Sequence, residues 1–431
     1  MSTGAALQTQ RISEGILISN SSTVLRVRDR SLTMIVLGIF GISLAWTSPV
    51  LADGPGIGDP WIVSIGDSYI SGEAGRWAGN SNNSSASVDA GGSAAYLDNG
   101  GTSETISGCH RSTAAEIHIG TAANNSFVNS LNLACSGART TTIVSSDGSY
   151  KPGIDFYNSG DRKGQALMLQ EFASVNNVRM IVLSIGGNDF GFADIVQRCV
   201  TNFLTSSSFF PNYCYDDAAV SSRFTKSNIT TQTNNIKAAI DRVKLAMTNA
   251  GYSTSQYSIL VQTYPSPIPN GSGFRYSQSG FTRQSTGGCG FWNRDADWAN
   301  GTALVRINGA VTNAANSANT SRNVLIMNLA SAFNGRRLCE TGVNLMENTG
   351  LGSWTAPTAA NATEWIAQIR TVSTIGGPYS VQESLHPNWW GQKAARNCVR
   401  QAWNNGVPRG GTCTRTGLGL NGRSEPVMTL S

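Results

Sequence analysis

Residues 61–73 read Trp-Ile-Val-Ser-Ile-Gly-Asp-Ser-Tyr-Ile-Ser-Gly-Glu, an apolar run that turns abruptly polar. The run 61–65 is short and nearly continuous, the pattern of a strand covered on both faces. Just past its end stands Ser68, with Gly66 before it and Gly72 after it. A serine so placed is either part of a turn or a nucleophile. The rest of the chain has to decide between the two.

Three further runs have the same character, at 178–185 (VRMIVLSI), 257–263 (YSILVQT) and 323–329 (NVLIMNL). Each ends at Gly, Pro, Asn or Ser. Helical patterns separate them. Over 230–250, Ile236, Ile240, Val243 and Met247 fall on one stripe, and Gly251 follows as a stop. The spacing predicts further helices over 299–318 and over 388–403, the latter after Pro387. Alternating strands and helices imply an α/β layered domain. Ligands in such sheets bind beyond the carboxyl ends of the strands, which is where Ser68 falls.

Of 431 residues, 40% are apolar, enough for a large core, and only 13% are charged. The net charge of +5 is scattered and gives no basic face for nucleic acid. Arg26, Arg28 and Arg30 precede an apolar run at 32–46, and Val50-Leu51-Ala52 follows with small residues at cleavage spacing. This is the layout of a secretory signal peptide, and the run falls short of the ~20 residues a membrane span needs. Export with cleavage after Ala52 is therefore expected, the other reading being a retained anchor. Removing residues 1–52 takes four Arg and two acids and leaves +3. Residues 53–415 are expected to form a single catalytic domain and 416–431 a tail. The Gly/Ser/Asn/Thr-rich stretches 77–108 and 140–163 read as surface loops.

Eight cysteines, Cys109, Cys135, Cys199, Cys214, Cys289, Cys339, Cys398 and Cys413, all lie after the leader. Their even number suits structural disulfides in an oxidising compartment. Nearest neighbours pairing in order is the simplest arrangement. With no CxxC pair and three histidines in all, a zinc cluster is not expected.

Three segments complete the reading of Ser68: LACSGA at 133–138, SIGGND at 184–189 and ESLHPN at 383–388. Together with GDSYISGE these blocks, in this order, resemble the GDSL/SGNH hydrolase superfamily, and most nearly its secreted actinobacterial esterase, lipase and phospholipase branch. Tyr69 stands where the family usually has Leu. The resemblance implies a three-layer α/β/α sandwich with a mainly parallel, flavodoxin-like central sheet. That branch also carries consecutive loop disulfides, in line with neighbour pairing.

By the same resemblance Ser68 is the nucleophile and His386 its base. The oxyanion hole is the N–H of Ser68, the N–H of Gly137 and the Asn188 amide. A serine hydroxyl needs a base to take its proton, and the oxyanion formed on attack needs fixed donors. His110 and His118 lie in no strand-end motif, and His110 beside Cys109 reads as a loop residue. The third member of the triad is expected at Glu383, three residues before the histidine; the main-chain carbonyl of Leu385 is the alternative orienting group.

The implied activity is a secreted serine esterase or lipase of the carboxylic ester hydrolase type. It needs no metal or cofactor, and its partner is an acyl ester, either a lipid or an acylated glycan. No nucleic acid and no membrane span after leader removal are expected, and the chain is expected to be monomeric. Polysaccharide O-deacetylation and acyl transfer are the alternatives within the superfamily. A binding module that lost activity is the alternative outside enzymes, and four intact blocks count against it. Trp77, Phe190, Phe192, Trp292, Trp389 and Trp390 are divided between core and acyl groove, with most assigned to core.

Overall fold

Strand β1 (Trp61–Gly66) lies one strand in from the edge of a seven-stranded sheet. Its neighbours are β2 (Asn129–Asn132) and β3 (Val178–Ser184), followed outward by β4 (Ser258–Gln262), β5 (Val324–Asn328), β6 (Gly411–Leu420) and β7 (Pro426–Leu430). The spatial order is therefore β2-β1-β3-β4-β5-β6-β7. All pairs are parallel except the terminal hairpin β6–β7. Strand order reverses between β1 and β3, so their carboxyl ends form the switch-point crevice of a doubly wound sheet. The structure, a computed structural model, describes residues 54–370 and 381–431. The expected leader, 1–52, lies outside the described residues.

A one-turn helix α1 (Ser68–Ser71) follows β1, and the long helices among the described residues are α2 (Gln165–Ala173), α3 (Phe192–Thr205), α4 (Lys226–Asn249), α5 (Leu304–Ala318) and α6 (Trp389–Trp403). The expected stripe of α4 is fully buried, and α4 packs between α2 and α5. Helix α6 packs on β6 and β7, completing the three-layer arrangement. Asn388 caps α6 by accepting from the N–H groups of Trp390 and Gly391, which explains a helix start directly after Pro387.

Four cystine bridges join Cys109 to Cys135, Cys199 to Cys214, Cys289 to Cys339 and Cys398 to Cys413. This is the neighbour pairing expected from sequence order.

Three expectations need correction. Residues 416–431 are not a tail. They form most of the β6–β7 hairpin at the sheet margin, where β6 is rich in glycine and threonine and carries little hydrophobic period to betray it. The helix expected from 299 starts earlier, at Asn293, and Ala299–Ala303 is a π-helical turn within it that leads into Leu304–Ala318. Finally, 77–108 is not wholly a surface loop: Trp77, Ala78, Asn80 and Ser81 are buried. Asn80 there donates to the Glu364 carboxylate and the Ile366 carbonyl, pinning the chain beneath the His386 loop.

Candidate active site

The polar end of 61–73 is a tight turn that presents Ser68 beside His386. Gly66 sits at φ 139°, and a Cβ there would lie 2.0 Å from the Ser184 carbonyl oxygen, so only glycine lets β1 and β3 end side by side. Asp67 then caps α1, accepting from the N–H of Tyr69 at 3.1 Å. Its other oxygen accepts from the Tyr264 hydroxyl, and burial pushes the carboxyl up to about 7. That hydroxyl also accepts from the N–H of Gly187 at 2.9 Å. Tyr264 thus fastens the ends of β1, β3 and β4 together. Ser68 is held as the first residue of α1, only 5% exposed.

His386 reaches this point from the other end of the chain. Ser68 Oγ lies 2.6 Å from His386 Nε2, a hydrogen-bond distance across 318 residues of sequence. Main-chain pairing holds the histidine loop, with Ala367 donating to the His386 carbonyl at 2.9 Å and Leu385 donating to Ala367 at 3.1 Å. Leu385 adopts φ 63°, a strained conformation for leucine that turns its carbonyl toward the Tyr69 hydroxyl, its donor at 3.0 Å. The Tyr69 ring lies 5.2 Å from the His386 ring. Tyr69 therefore braces the His386 loop as well as packing behind the turn.

Asn188 follows β3 and donates from Nδ2 to the Ala138 carbonyl at 2.9 Å, leaving its second amide proton for other use. Asp189 next to it accepts from the Thr140 hydroxyl at 2.6 Å, so the 184–189 turn and the 137–140 loop are tied. Gly137 adopts φ 81° in that loop, which the Cys109–Cys135 bridge anchors. Among the described residues, neither the N–H of Ser68 nor that of Gly137 meets an acceptor. Ser68, Gly137, Asn188 and His386 all line one open cleft.

Glu383 is placed differently from the expectation. Its carboxylate accepts from Trp77 Nε1 at 3.0 Å and from the Tyr96 hydroxyl at 2.6 Å. His386 Nδ1 has no hydrogen-bond partner, so the carboxylate does not meet it. The carbonyls of Glu383 and Ser384 lie beside the ring and favour its cation without reaching hydrogen-bond geometry.

A second carboxylate, with no role in the sequence reading, sits behind the site. Glu73, the last residue of the opening stretch, is fully buried and binds His110 Nδ1 at 2.7 Å. It also accepts from Gln382 Nε2 at 2.9 Å, tying the nucleophile segment to the histidine loop. Burial opposes its charge, but the His110 partner holds it below the usual carboxylate range and is itself held above the usual imidazole range. His386 is pushed down by burial, and the Glu73 charge is the foremost influence opposing that shift. Only the final letter of GDSYISGE hinted at Glu73, and spacing alone cannot tell a buried carboxylate from a solvated one.

From the same cleft a narrow slot runs under α3, a cavity of about 80 Å³. Its walls are carbon: Phe192, Ile195 and Val196 on one side, Trp298, Ala303 and Ile307 on the other. The π-helical turn carrying Ala299 and Ala303 forms part of the wall. Asn300 Nδ2 donates to the carbonyls of Ile268 and Ala296, and its Oδ1 accepts from Ser266, so the Asn300 amide brings no unsatisfied group to the slot. Of the six aromatics considered from sequence, Phe192 lines the slot, while Trp77, Phe190, Trp292 and Trp390 are core.

No family model and no curated protein matches the chain. Among solved structures it is similar to an extracellular lipase from Streptomyces rimosus at 18% identity, over 78% of this chain and 95% of that one, with a TM-score of 0.38. It is similar to the same extent, 18% identity over 78% and 95% with a TM-score of 0.38, to phospholipase A1 from Streptomyces albidoflavus NA297. An acetyl xylan esterase (Est2A) from the rumen bacterium Butyrivibrio proteoclasticus is similar at 10% identity, over 81% and 64% of the two chains, with a TM-score of 0.34. What the site does follows from its own geometry.

Proposed function

We propose that the chain is a secreted serine ester hydrolase acting on esters of aliphatic acids. The observation that carries this reading is the 2.6 Å approach of Ser68 Oγ to His386 Nε2 at the sheet's switch point. In the proposed reaction Nε2 takes the Ser68 proton as Oγ bonds to the ester carbonyl carbon. This requires the imidazole proton on Nδ1. The oxyanion is met by the N–H groups of Ser68 and Gly137 and the Asn188 amide, which are unspent donors. Collapse of the intermediate breaks the ester C–O bond, and Nε2 returns its proton to the departing alcohol. Water, deprotonated by the same nitrogen, then releases the acid from the acyl-enzyme.

The slot supports a substrate with an aliphatic chain over an acetylated glycan. The slot is lined almost wholly by carbon, so each methylene buried in it is worth ~0.8 kcal/mol, a gain that an acetyl group, which has no methylene, cannot make. The leader and four bridges support export to an oxidising compartment. Among the described residues no helix is long and apolar enough to cross a membrane. The test is a panel of p-nitrophenyl esters from acetate to palmitate, with acetylated xylan alongside. The expected result is hydrolysis preferring chains longer than acetate and lost in Ser68→Ala. Turnover of acetylated xylan alone would contradict the aliphatic reading, and turnover surviving in Ser68→Ala would contradict the nucleophile.

A further inference from the structure

The end of α3 carries a feature that hydrolysis does not use. Phe209 and Phe210, adjacent in sequence, are 87% and 84% exposed at the tip of the loop between Thr205 and Cys214. A free aromatic pair on a floppy loop would fold onto the nearest apolar surface. Here the root of the loop is fixed. The Cys199–Cys214 bridge closes it, Ser206 Oγ donates to Asn202 and accepts from the N–H of Asn212, and Asn202 Nδ2 donates to the Tyr213 carbonyl at 3.3 Å. Phe210 N–H bonds the Ser207 carbonyl at 3.1 Å, making the tip a tight turn that holds both rings outward.

Two more facts limit what such a tip can meet. No charged side chain occurs from Cys199 to Tyr215, so nothing in the loop resists entering an apolar medium. The helix that bears it also borders the open cleft, through Val200, Thr201 and Leu204, alongside His386. Val381, 72% exposed, lines the same cleft. The apolar tip thus extends from the end of a helix that borders the cleft mouth.

We propose that Phe209 and Phe210 dock the enzyme on a phospholipid bilayer, with the cleft mouth beside the lipid surface. The purpose of this docking rests on the ester-hydrolase reading, but the binding itself does not. A protein partner would need about 800 Å² of complementary surface per side, far more than two side chains on one turn offer. Aromatic side chains at the headgroup level need no such area, because the acyl chains beneath accept any apolar shape.

The experiment is co-sedimentation of the purified, leader-free protein with phosphatidylcholine vesicles, paired with hydrolysis of water-soluble p-nitrophenyl acetate. Wild type is expected to bind. Phe209→Ser/Phe210→Ser is expected to lose at least about tenfold in vesicle partitioning with acetate turnover unchanged. Phe209→Trp/Phe210→Trp is expected to keep binding and to show a blue-shifted tryptophan emission on vesicles that is absent in buffer. Wild type failing to bind, or the double serine variant binding equally well, overturns the proposal. So does a concentration-dependent dimer that the serine variant abolishes without any vesicle binding, which would make the tip a self-association contact. Vesicle binding through the tip in a protein that hydrolyses no ester would leave docking standing and remove the hydrolase reading, so the two fail separately.

Discussion

Ala303 offers the sharpest way to probe the slot. It is 7% exposed, lies in the π-helical turn and forms part of the slot wall opposite α3. In Ala303→Phe a ring projects into space that an acyl chain would fill, with the Ser68–His386 pair untouched. An octanoyl chain has six methylenes beyond the two carbons of acetyl. If the ring excludes three of them, the lost burial is about 2.4 kcal/mol at ~0.8 kcal/mol each, or roughly 60-fold in kcat/KM. The assay compares kcat/KM for p-nitrophenyl acetate, butyrate and octanoate in variant and wild type. Octanoate should fall by that factor and acetate by less than about twofold. Overpacking costs about 1–3 kcal/mol of stability, so a thermal melt must first show the variant folded at the assay temperature. An equal loss on all three esters would mean that the ring disturbs the site itself. An unchanged octanoate rate would mean that the acyl chain lies elsewhere.

Other outcomes test the remaining parts. Asn188→Ala should lower kcat by ~10²–10³ with little change in KM, since an oxyanion donor acts mainly in the transition state; a raised KM at normal kcat would instead make it a pocket wall. Because burial lowers His386, the acid limb of kcat/KM should lie below the ordinary imidazole value of 6.5, as the base works only when neutral. Glu73→Gln removes a charge that favours the His386 cation, so the limb should move to still lower pH while kcat drops by about tenfold; an unmoved limb would show the two groups to be uncoupled. Glu383→Gln should cost less than about tenfold in kcat, against ~10⁴ for a carboxylate bonded directly to the base, and a loss near the larger figure would restore the carboxylate to the triad. Thiol titration of unfolded, unreduced protein should find no free cysteine.

The sheet was legible because β1, β3 and β4 are buried on both faces and β5 is at least half-buried, so that all four read as apolar runs. The strands that escaped notice are the ones at the sheet's margins. Asn129–Asn132 is mostly polar, and the terminal hairpin is rich in glycine and threonine. Helix α3 was hidden by a sequence, FADIVQRCVTNFLT, that follows GGND with no capping residue; its N-cap is Gly191, which makes no side-chain cap. At the site, Ser68, Gly137, Asn188 and His386 were legible because each lies in a short block tied to a strand end or helix start. The pairing of Glu383 with Trp77 and Tyr96 was not, since it depends on where a loop 287 residues earlier folds back. The ion pair of Glu73 with His110 has the same cause. Long-range polar pairing leaves no period in a sequence.

The central claim is that Ser68 is a nucleophile activated by His386. An active-site-directed fluorophosphonate, followed by peptide mass spectrometry, tests it most directly. The expected result is a single adduct on the peptide carrying Ser68, absent in Ser68→Ala and slowed by orders of magnitude in His386→Ala. No adduct on wild type, or an adduct on another serine that persists in Ser68→Ala, would contradict it.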